Sequence, residues 1–223
     1  KLLPGRVLKV SPNSADPKEL NIKKYWSVGD TVSESEFREY EKEGYIIELE
    51  RRLERAIMQQ SIADVPLGSF LSGGIDSSLI TSILQKNSNT RIQSFSLGFK
   101  EDKYNEAEYA KLVAENIGTD HHELIVSPDD MRAVIPGLVD MYDEPFGDPS
   151  AIPTFIVSRF ARSNVTVALT GDGGDELFGG YNHYHRSLQI WSVIKKIPSS
   201  IRHLSSASIN SFSKHLSKLS TGR

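Results

Sequence analysis

Hydrophobic and polar residues in the first sixty positions predict a short strand followed by a long helical region. Residues 7–10 carry a short alternating pattern typical of a strand or hairpin, and residues 11–17 form a turn-rich break. Over residues 36–60, apolar side chains recur every three or four positions, as on one face of a helix. Gly44 interrupts this pattern, and we expect it to divide the region into two helices.

The middle of the chain alternates between strand and helix patterns. Short apolar runs predict strands over residues 67–71, 92–99, 121–126 and 165–169. Helical spacing predicts helices over 79–85, 105–116, 128–142 and 150–162, and Gly118 is expected to form a left-handed cap. With right-handed crossovers, this βαβαβαβ order predicts an α/β fold, in which a parallel sheet is covered by helices on both faces.

Two glycine-rich segments directly follow predicted strands. Residues 72–78 follow the first strand and residues 171–181 follow the fourth. In such sheets, ligands bind beyond the carboxyl ends of the strands, where the strand order reverses. We therefore expect both segments to lie at that edge. Further on, Trp191 and Ile194 predict another helix, whereas residues 199–223 are rich in serine and lysine and suggest no function.

Composition narrows the class of protein. Of the 223 residues, 38% are hydrophobic and 25% charged, and the formal net charge is −3. These values are typical of a globular protein and unlike the basic footprint of a nucleic-acid binder. No apolar run approaches the ~18 residues of a membrane helix, and no signal peptide opens the chain. We expect a cytoplasmic enzyme or binding domain and, because the chain begins without Met, a part of a longer protein.

The chain contains no cysteine. Without thiols it can form no disulfide framework, no thiolate zinc site and no thiol nucleophile. Any covalent chemistry within this chain must therefore use other groups.

The first glycine-rich segment, SGGIDSS at residues 72–78, has the features of an anion site. Its glycine pair lets backbone N–H groups approach an anion, and the following helix directs its positive end to the same point. Ser72, Ser77 and Ser78 add hydroxyl donors. The segment lacks the lysine of the Walker loop and the third glycine of the dinucleotide fingerprint. A tight strand–helix turn with serine caps is the alternative interpretation.

The second segment, at residues 171–181, holds three acidic residues and five glycines. Clustered carboxylates repel one another, and a nearby phosphate would add to the repulsion. A phosphate site near Asp76, Asp172 and Asp175 therefore needs Mg²⁺ between the charges. A flexible acidic loop is one alternative. A calcium loop is another, although the twelve-residue EF-hand spacing is missing.

Together these segments resemble the asparagine synthetase family, a branch of the N-type ATP pyrophosphatases. Residues 72–78 match the family's pyrophosphate loop, Ser-Gly-Gly-x-Asp-Ser-Ser, and residues 171–181 match its Gly-Glu/Asp-Gly-x-Asp-Glu-x-Phe-Gly-Gly-Tyr. Further agreement occurs at residues 64–66, 94–99, 118–123 and 143–150. The similarity covers about residues 25–186.

The resemblance implies a doubly wound, mostly parallel sheet of the adenine nucleotide alpha hydrolase type. It also implies three parts: the end of an N-terminal glutaminase domain (residues 1–24), an ATP-pyrophosphatase synthetase domain (25–190) and a partial helical C-terminal segment (191–223). The family's glutaminase domain uses an N-terminal cysteine, and its C-terminal segment carries a late catalytic lysine. Because we expect both to be missing, the chain is expected to bind ATP without completing catalysis.

The implied reaction is ATP-dependent amidation of a carboxylate through an acyl-adenylate, releasing AMP and pyrophosphate. The resemblance assigns the β,γ-pyrophosphate to Ser72, Gly73, Gly74, Ser77 and Ser78, Mg²⁺ to Asp76 and Asp175, and the adenosine pocket to Leu71, Leu97, Thr170 and Gly171. Asp172 stands where many members have a glutamate proposed to accept a proton from ammonia. Aspartate is one methylene shorter, so either the pocket compensates or this role is weaker here.

The motifs say less about the carboxylate substrate that accepts the nitrogen than about the nucleotide. Aspartate is the expected carboxylate, with ammonia supplied by a glutaminase domain of the parent chain, and a homodimer is compatible with the resemblance. An amidotransferase acting on a sugar acid of a surface polysaccharide shares the same motifs. A nucleotide-binding module without catalytic activity is an alternative from another functional class. Within the loop at residues 143–149, we expect Asp148, with the adjacent Ser150, to shape the acceptor pocket.

Other polar and aromatic residues have simpler interpretations. His121, His122 and Glu123 could suggest a metal site, but neighbouring residues of a strand point to opposite faces, which favours a structural role. Trp191, Tyr181 and Tyr184 are interpreted as packing residues rather than base-stacking residues, because the chain is acidic overall.

Overall fold

The computed structural model describes residues 2–10, 21–31, 42–100, 105–142 and 147–199. By its internal contacts the chain divides into two compact units, Lys1–Arg52 and Leu53–Arg223. In the first unit, strand β1 (Arg6–Lys9) confirms the strand predicted near the start of the chain. It pairs in antiparallel fashion with β2 (Asn21–Lys24), which was not predicted. The short helix α1 (Val28–Thr31) follows and has no counterpart among the predicted elements.

Helix α2 (Lys42–Gln60) runs without interruption through Gly44. The expectation that Gly44 divides this region is therefore wrong, and residues 36–41 lie outside the described part. A glycine inside a helix costs only about 1 kcal/mol. Favourable pairs follow it, since the Glu48 carboxylate accepts hydrogen bonds from Arg51 and Arg52 one turn on. These bonds lower the pKa of Glu48 to about 2.

A four-stranded parallel sheet organises the second unit, as predicted. Its strands are β3 (Leu67–Phe70), β4 (Gln93–Phe99), β5 (Asp120–Val126) and β6 (Val167–Leu169). They lie in the order β5–β4–β3–β6, so the strand order reverses between β3 and β6. Among the described residues, β6 lies at the edge of this sheet and is half-buried.

Further helices lie between these strands and after the last of them. They are α3 (Ile75–Lys86), α4 (Ala107–Ile117), α5 (Pro128–Val134), α6 (Leu138–Met141), α7 (Ala151–Ala161), α8 (Gly174–Phe178) and α9 (Asn182–Ile194). Gly118 caps α4 with φ +83°, as expected. The single helix expected over residues 128–142 is wrong, since a 3₁₀ turn (Ile135–Gly137) separates α5 from α6. Pro136 explains the break, because proline lacks the N–H that a continuous helix requires.

Helices cover both faces of the sheet, as the side chains of β4, which alternate between the two faces, show. Phe95 packs against Ala161 of α7, and Leu97 joins the cluster that α5 and α7 form on the same face. On the opposite face, a Cβ placed on Gly98 would lie 3.1 Å from Cβ of Ala107 in α4. The predicted doubly wound α/β fold is therefore confirmed. No helix in the described ranges is long and apolar enough to cross a lipid bilayer.

Candidate functional site

The first glycine-rich loop leaves the carboxyl end of β3 and leads into α3. Gly73 has φ +81°, a conformation that favours glycine, and a Cβ there would lie 2.6 Å from the backbone N of Ala110 in α4. Gly74 is the N-cap of α3. Glycine at position 73 is therefore required both by the backbone conformation and by the close approach of α4.

Serine hydroxyls hold this loop in shape. Ser77 Oγ accepts a hydrogen bond from the Ser72 amide (3.2 Å), lies 2.9 Å from Ser72 Oγ, and donates to the Gly74 carbonyl (3.3 Å). Ser78 Oγ is buried and has no hydrogen-bond partner within the described ranges. Since buried hydroxyls are almost always paired, the Ser78 hydroxyl is a candidate partner for an oxygen of a ligand.

A buried polar contact ties α3 to the strand before it. Ser69 of β3 and Thr81 of α3 are both fully buried, and their hydroxyl oxygens lie 2.7 Å apart. Thr81 also donates to the Ser77 carbonyl over 2.8 Å. The contact sets the position of α3, and with it the loop, relative to the sheet.

The second glycine-rich loop leaves the carboxyl end of β6. The Asp172 amide donates to Thr170 Oγ1 (3.3 Å), and the Gly174 amide donates to the Gly171 carbonyl (3.2 Å). Gly173 and Gly179 lie at the two ends of α8, with φ of +91° and +68°. The loop is thus a tight turn followed by a single short helix.

The two loops meet, as the sequence predicts. Because β3 and β6 are neighbours, their carboxyl ends open onto the same edge of the sheet. A Cβ on Gly171 would lie 2.9 Å from the backbone N of Ser77, and one on Gly174 would lie 2.5 Å from Cγ of Asp76. Asp76, on the first turn of α3, therefore lies directly against the second loop.

The acidic residues of the site differ in environment. Asp76 and Asp175 are half-buried, whereas Asp172 is exposed. Tyr181 donates a hydrogen bond to Glu176 Oε1 over 2.8 Å, which raises the pKa of Tyr181 to about 12. The neutral phenol is therefore retained throughout the physiological pH range.

The residues present fit a magnesium ion bound with a nucleotide. Carboxylate oxygens are hard ligands, and Mg²⁺ is commonly held by one or two carboxylates together with substrate phosphates. Asp76 and Asp175 could supply the two carboxylates. Among the described residues there is no group of three or more acidic, His or Cys side chains that could hold a metal. A site completed by phosphate oxygens does not need such a group.

The structure brings only some of the predicted adenosine residues close to one another. The Leu71 amide donates to the Phe95 carbonyl (2.9 Å), and its side chain is buried against α4. The Leu97 side chain packs on the opposite face of the sheet, around Val126. The structure thus places Leu71, Thr170 and Gly171 near the junction of the loops, but it does not direct the Leu97 side chain there.

The predicted acceptor residues form their own local turn. The Ser150 amide donates to Asp148 Oδ1 over 2.8 Å, and hydrogen bonds from Ser150 lower the pKa of Asp148. Residues 143–146 lie outside the described part of the chain. Within the described ranges, no hydrogen bond joins Asp148 or Ser150 to either glycine-rich loop.

The two histidines of β5 point to opposite faces, as expected. His121 lies between two serines of β4, with its Nδ1 2.8 Å from Ser94 Oγ and its Nε2 3.2 Å from Ser96 Oγ. Burial lowers the pKa of His121. His122 instead stacks on the Phe95 ring, with centroids 5.2 Å apart. Sequence reasoning missed the serine partners, although serine at two alternating positions of a buried strand was a usable signal.

The aromatic residues after the second loop contact one another. The Tyr181 ring stacks on His183 at 5.1 Å and meets Tyr184 edge-on at 5.5 Å. These contacts are compatible with the predicted packing role, which stays a prediction because Tyr184 is exposed. Trp191 is 55% exposed, and its role stays a prediction.

Comparison with known proteins identifies a matching family model, two related sequences and a similar solved structure. The family model described as "Asparagine synthase" matches residues 48–222. The chain is 38% identical over 188 residues to "Putative asparagine synthetase (glutamine-hydrolyzing) 2" of Methanocaldococcus jannaschii. The aligned region covers 84% of this chain and 35% of that protein. It is 42% identical over 140 residues to asparagine synthetase (glutamine-hydrolyzing) 1 of Bacillus subtilis, 63% of this chain and 22% of that protein.

The chain thus spans about a third or less of the length of these relatives. Among solved structures, it is similar to NMN synthetase from Francisella tularensis, with a TM-score of 0.42 and 17% identity. That similarity covers 64% of this chain and 59% of the other.

Proposed function

The chain belongs to the asparagine synthase family, and on that premise we propose that it is the ATP-dependent ligase domain of a longer enzyme that amidates a carboxylate. The observation that carries this proposal is the meeting of two glycine-rich loops where the strand order reverses. In open α/β sheets, this is the place where nucleotides and other ligands bind.

The reaction needs an activated carboxylate, because oxide is a poor leaving group. One carboxylate oxygen attacks the α-phosphorus of ATP, the bond to the bridging oxygen of pyrophosphate breaks, and an acyl-adenylate forms. Ammonia then attacks the acyl carbon, loses a proton, and displaces AMP. Catalysis of this kind rests on positioning and on stabilising developing charge.

The first loop would bind the pyrophosphate. The backbone N–H of Gly73 and the N-terminus of α3 favour an anion at this point, whereas the Gly74 amide donates to Ser72 Oγ over 3.3 Å. The hydroxyls of Ser72 and Ser77 hold the loop, and the unpartnered Ser78 hydroxyl can donate to a phosphate oxygen. Leu71, Thr170 and Gly171 are the proposed adenosine residues, and Leu97 could contribute only its backbone, because its side chain packs on the opposite face of the sheet.

Asp76 and Asp175 would hold Mg²⁺. When bound, the ion would neutralise phosphate charge that two half-buried carboxylates alone would repel. Asp172, exposed beside Thr170, would accept the proton released by ammonia. General base assistance of this kind is worth about 10²- to 10⁴-fold in rate.

The acceptor that we propose is aspartate, with ammonia derived from glutamine, because the relatives are named glutamine-hydrolyzing asparagine synthetases. Asp148 and Ser150 are the candidate acceptor contacts. On this proposal, residues 1–24 end a glutaminase domain, 25–190 form the synthetase domain and 191–223 begin a helical segment. The parent enzyme would act in the cytoplasm, and a homodimer is compatible with this function.

Exchange of labelled pyrophosphate into ATP by the parent protein tests this function. We expect exchange to require both Mg²⁺ and an acceptor carboxylate, and aspartate to support it better than sugar acids. Asp76→Asn should lower the exchange rate by roughly 100-fold, the scale of losing one preorganised charge-stabilising group.

Asp140→Asn is the matched control, since Asp140 is an exposed carboxylate on α6. Exchange supported by a sugar acid and not by aspartate would favour the surface-polysaccharide alternative. Full exchange by Asp76→Asn would show that the metal assignment is wrong.

A further inference from the structure

The five glycines of the second loop serve two different structural purposes. Gly173 and Gly179 have positive φ values, and a Cβ on either would meet nothing within 4 Å, so backbone conformation explains them. Gly171, Gly174 and Gly180 do not have positive φ values. An alanine there could adopt the same backbone, and what prevents it is occupied space.

At two of these positions, the atoms that occupy this space belong to the carboxylates proposed to bind Mg²⁺. A Cβ on Gly174 would lie 2.5 Å from Cγ and 3.1 Å from Oδ1 of Asp76. A Cβ on Gly180 would lie 2.9 Å from Cγ of Asp175. Each proposed magnesium ligand thus rests against the backbone of one glycine.

The segment that carries Gly180 is held back against α8 by two hydrogen bonds. The Gly180 amide donates to the Asp175 carbonyl over 3.0 Å, and the Tyr181 hydroxyl donates to Glu176 Oε1 over 2.8 Å. The Tyr181 ring packs in turn on His183 and Tyr184. Gly180 therefore forms a fixed surface for the Asp175 carboxylate.

We propose that Gly174 and Gly180 are positioning residues, which fix the Asp76 and Asp175 carboxylates for binding Mg²⁺ with ATP. The inference rests on the proposed function and adds to it the residues that set the ligand geometry. Mg²⁺ requires near-ideal octahedral geometry, so a displaced carboxylate is a poorer ligand even when its charge is intact.

Alanine at these positions separates ligand geometry from folding. Its methyl group would push mainly on the carboxylate end of a side chain, which can give way by rotating. We therefore expect Gly174→Ala and Gly180→Ala to fold normally, with melting temperatures within about 3 °C of the wild type. The carboxylates would nevertheless lie in the wrong place for the ion.

The test is calorimetric titration of ATP into the 223-residue chain at increasing Mg²⁺ concentrations. We expect each variant to need about 10-fold more Mg²⁺ than the wild type for half-maximal ATP binding, the usual scale of disturbing the support of a metal ligand. Gly137→Ala is the matched control, because a Cβ there meets nothing within 4 Å and its φ is −80°. It should bind as the wild type does.

A double variant tests whether Gly180 acts through the Asp175 carboxylate. With Asp175→Ala in place, the methyl group of Gly180→Ala has no carboxylate to displace, so the second change should have no further effect on ATP binding. Additive effects would overturn the positioning role.

The outcomes separate the two proposals. A wild-type chain whose ATP binding is indifferent to Mg²⁺ would contradict the proposed metal site, and the positioning role with it. Mg²⁺-dependent binding that Gly174→Ala and Gly180→Ala leave unchanged would overturn the positioning role alone.

Discussion

At the scale of single residues, His121 shows how burial and partners set the state of a titratable group. Its ring is held by Ser94 and Ser96 on the neighbouring strand, and Ser94 is also within 2.8 Å of Thr119 Oγ1. Burial is the main cause of its lowered pKa, opposed by Glu123 and assisted by His122 and Lys111. The folded protein therefore favours the neutral ring.

This lowered pKa predicts a pH-dependent stability. The unfolded chain takes up a proton near the ordinary histidine pKa of 6.5, whereas folded His121 resists it, so the free energy of unfolding should fall as the pH drops below that value. His121→Gln should make this decline shallower. Urea unfolding at about pH 7.5 and about pH 5.5 measures it.

His185→Gln, an exposed histidine of α9, is the control for this experiment and should keep the wild-type pH dependence. An identical decline in His121→Gln and the wild type would show that His121 is not the group responsible.

At the scale of elements, the junction of β3 and α3 determines where the first loop lies. The polar contact between Ser69 and Thr81 at this junction is fully buried. If one hydroxyl is removed, the other therefore cannot form a hydrogen bond with water instead. Buried polar groups without partners cost free energy, whereas their joint replacement by apolar groups can be nearly neutral.

Thr81→Val is accordingly expected to lower the free energy of unfolding by about 1–3 kcal/mol, because it keeps the shape of the side chain and removes its hydroxyl. The double variant Ser69→Ala/Thr81→Val should recover part of this loss, since no unpaired hydroxyl remains. Urea denaturation of the single and double variants measures the coupling. Strictly additive losses would mean that the two hydroxyls do not act as a pair.

Sequence patterns predict elements better than they predict where elements end. Local periodicity was sufficient for the strands of the sheet and for α3, α4 and α7. It failed at Gly44 and at Pro136, because a helix break depends on whether neighbouring contacts compensate for a poor helix former. At both positions the outcome was decided by balances of about 1–3 kcal/mol, which a residue pattern does not reveal.

At the scale of the whole molecule, the chain corresponds to only a part of the relatives that it matches. It spans 35% of its archaeal relative and contains no cysteine. The named activity of the relatives includes glutamine hydrolysis, and the family resemblance assigns that step to a cysteine. The ammonia-generating step and the ATP-dependent step are thus expected to be separable.

We expect the 223-residue chain to release no ammonia from glutamine, since it has no thiol to act as the nucleophile. An ammonia-release assay on pure protein measures this, and Mg²⁺-dependent ATP binding by the same sample is the control for a folded site. Glutamine hydrolysis by pure material would contradict the assignment of that step to a cysteine outside this chain.

The sequence by itself determined the alternation of strands and helices in the second unit, the parallel sheet, and the placement of both glycine-rich loops after strands. These follow from local periodicity and from the handedness of crossovers, which act over short stretches of chain. Only the tertiary structure decided that Gly174 lies against Asp76, that Gly180 lies against Asp175, and that two serines hold His121. The physical reason is that these are steric and hydrogen-bonding contacts whose geometry exists only after the strands have paired and the loops have closed.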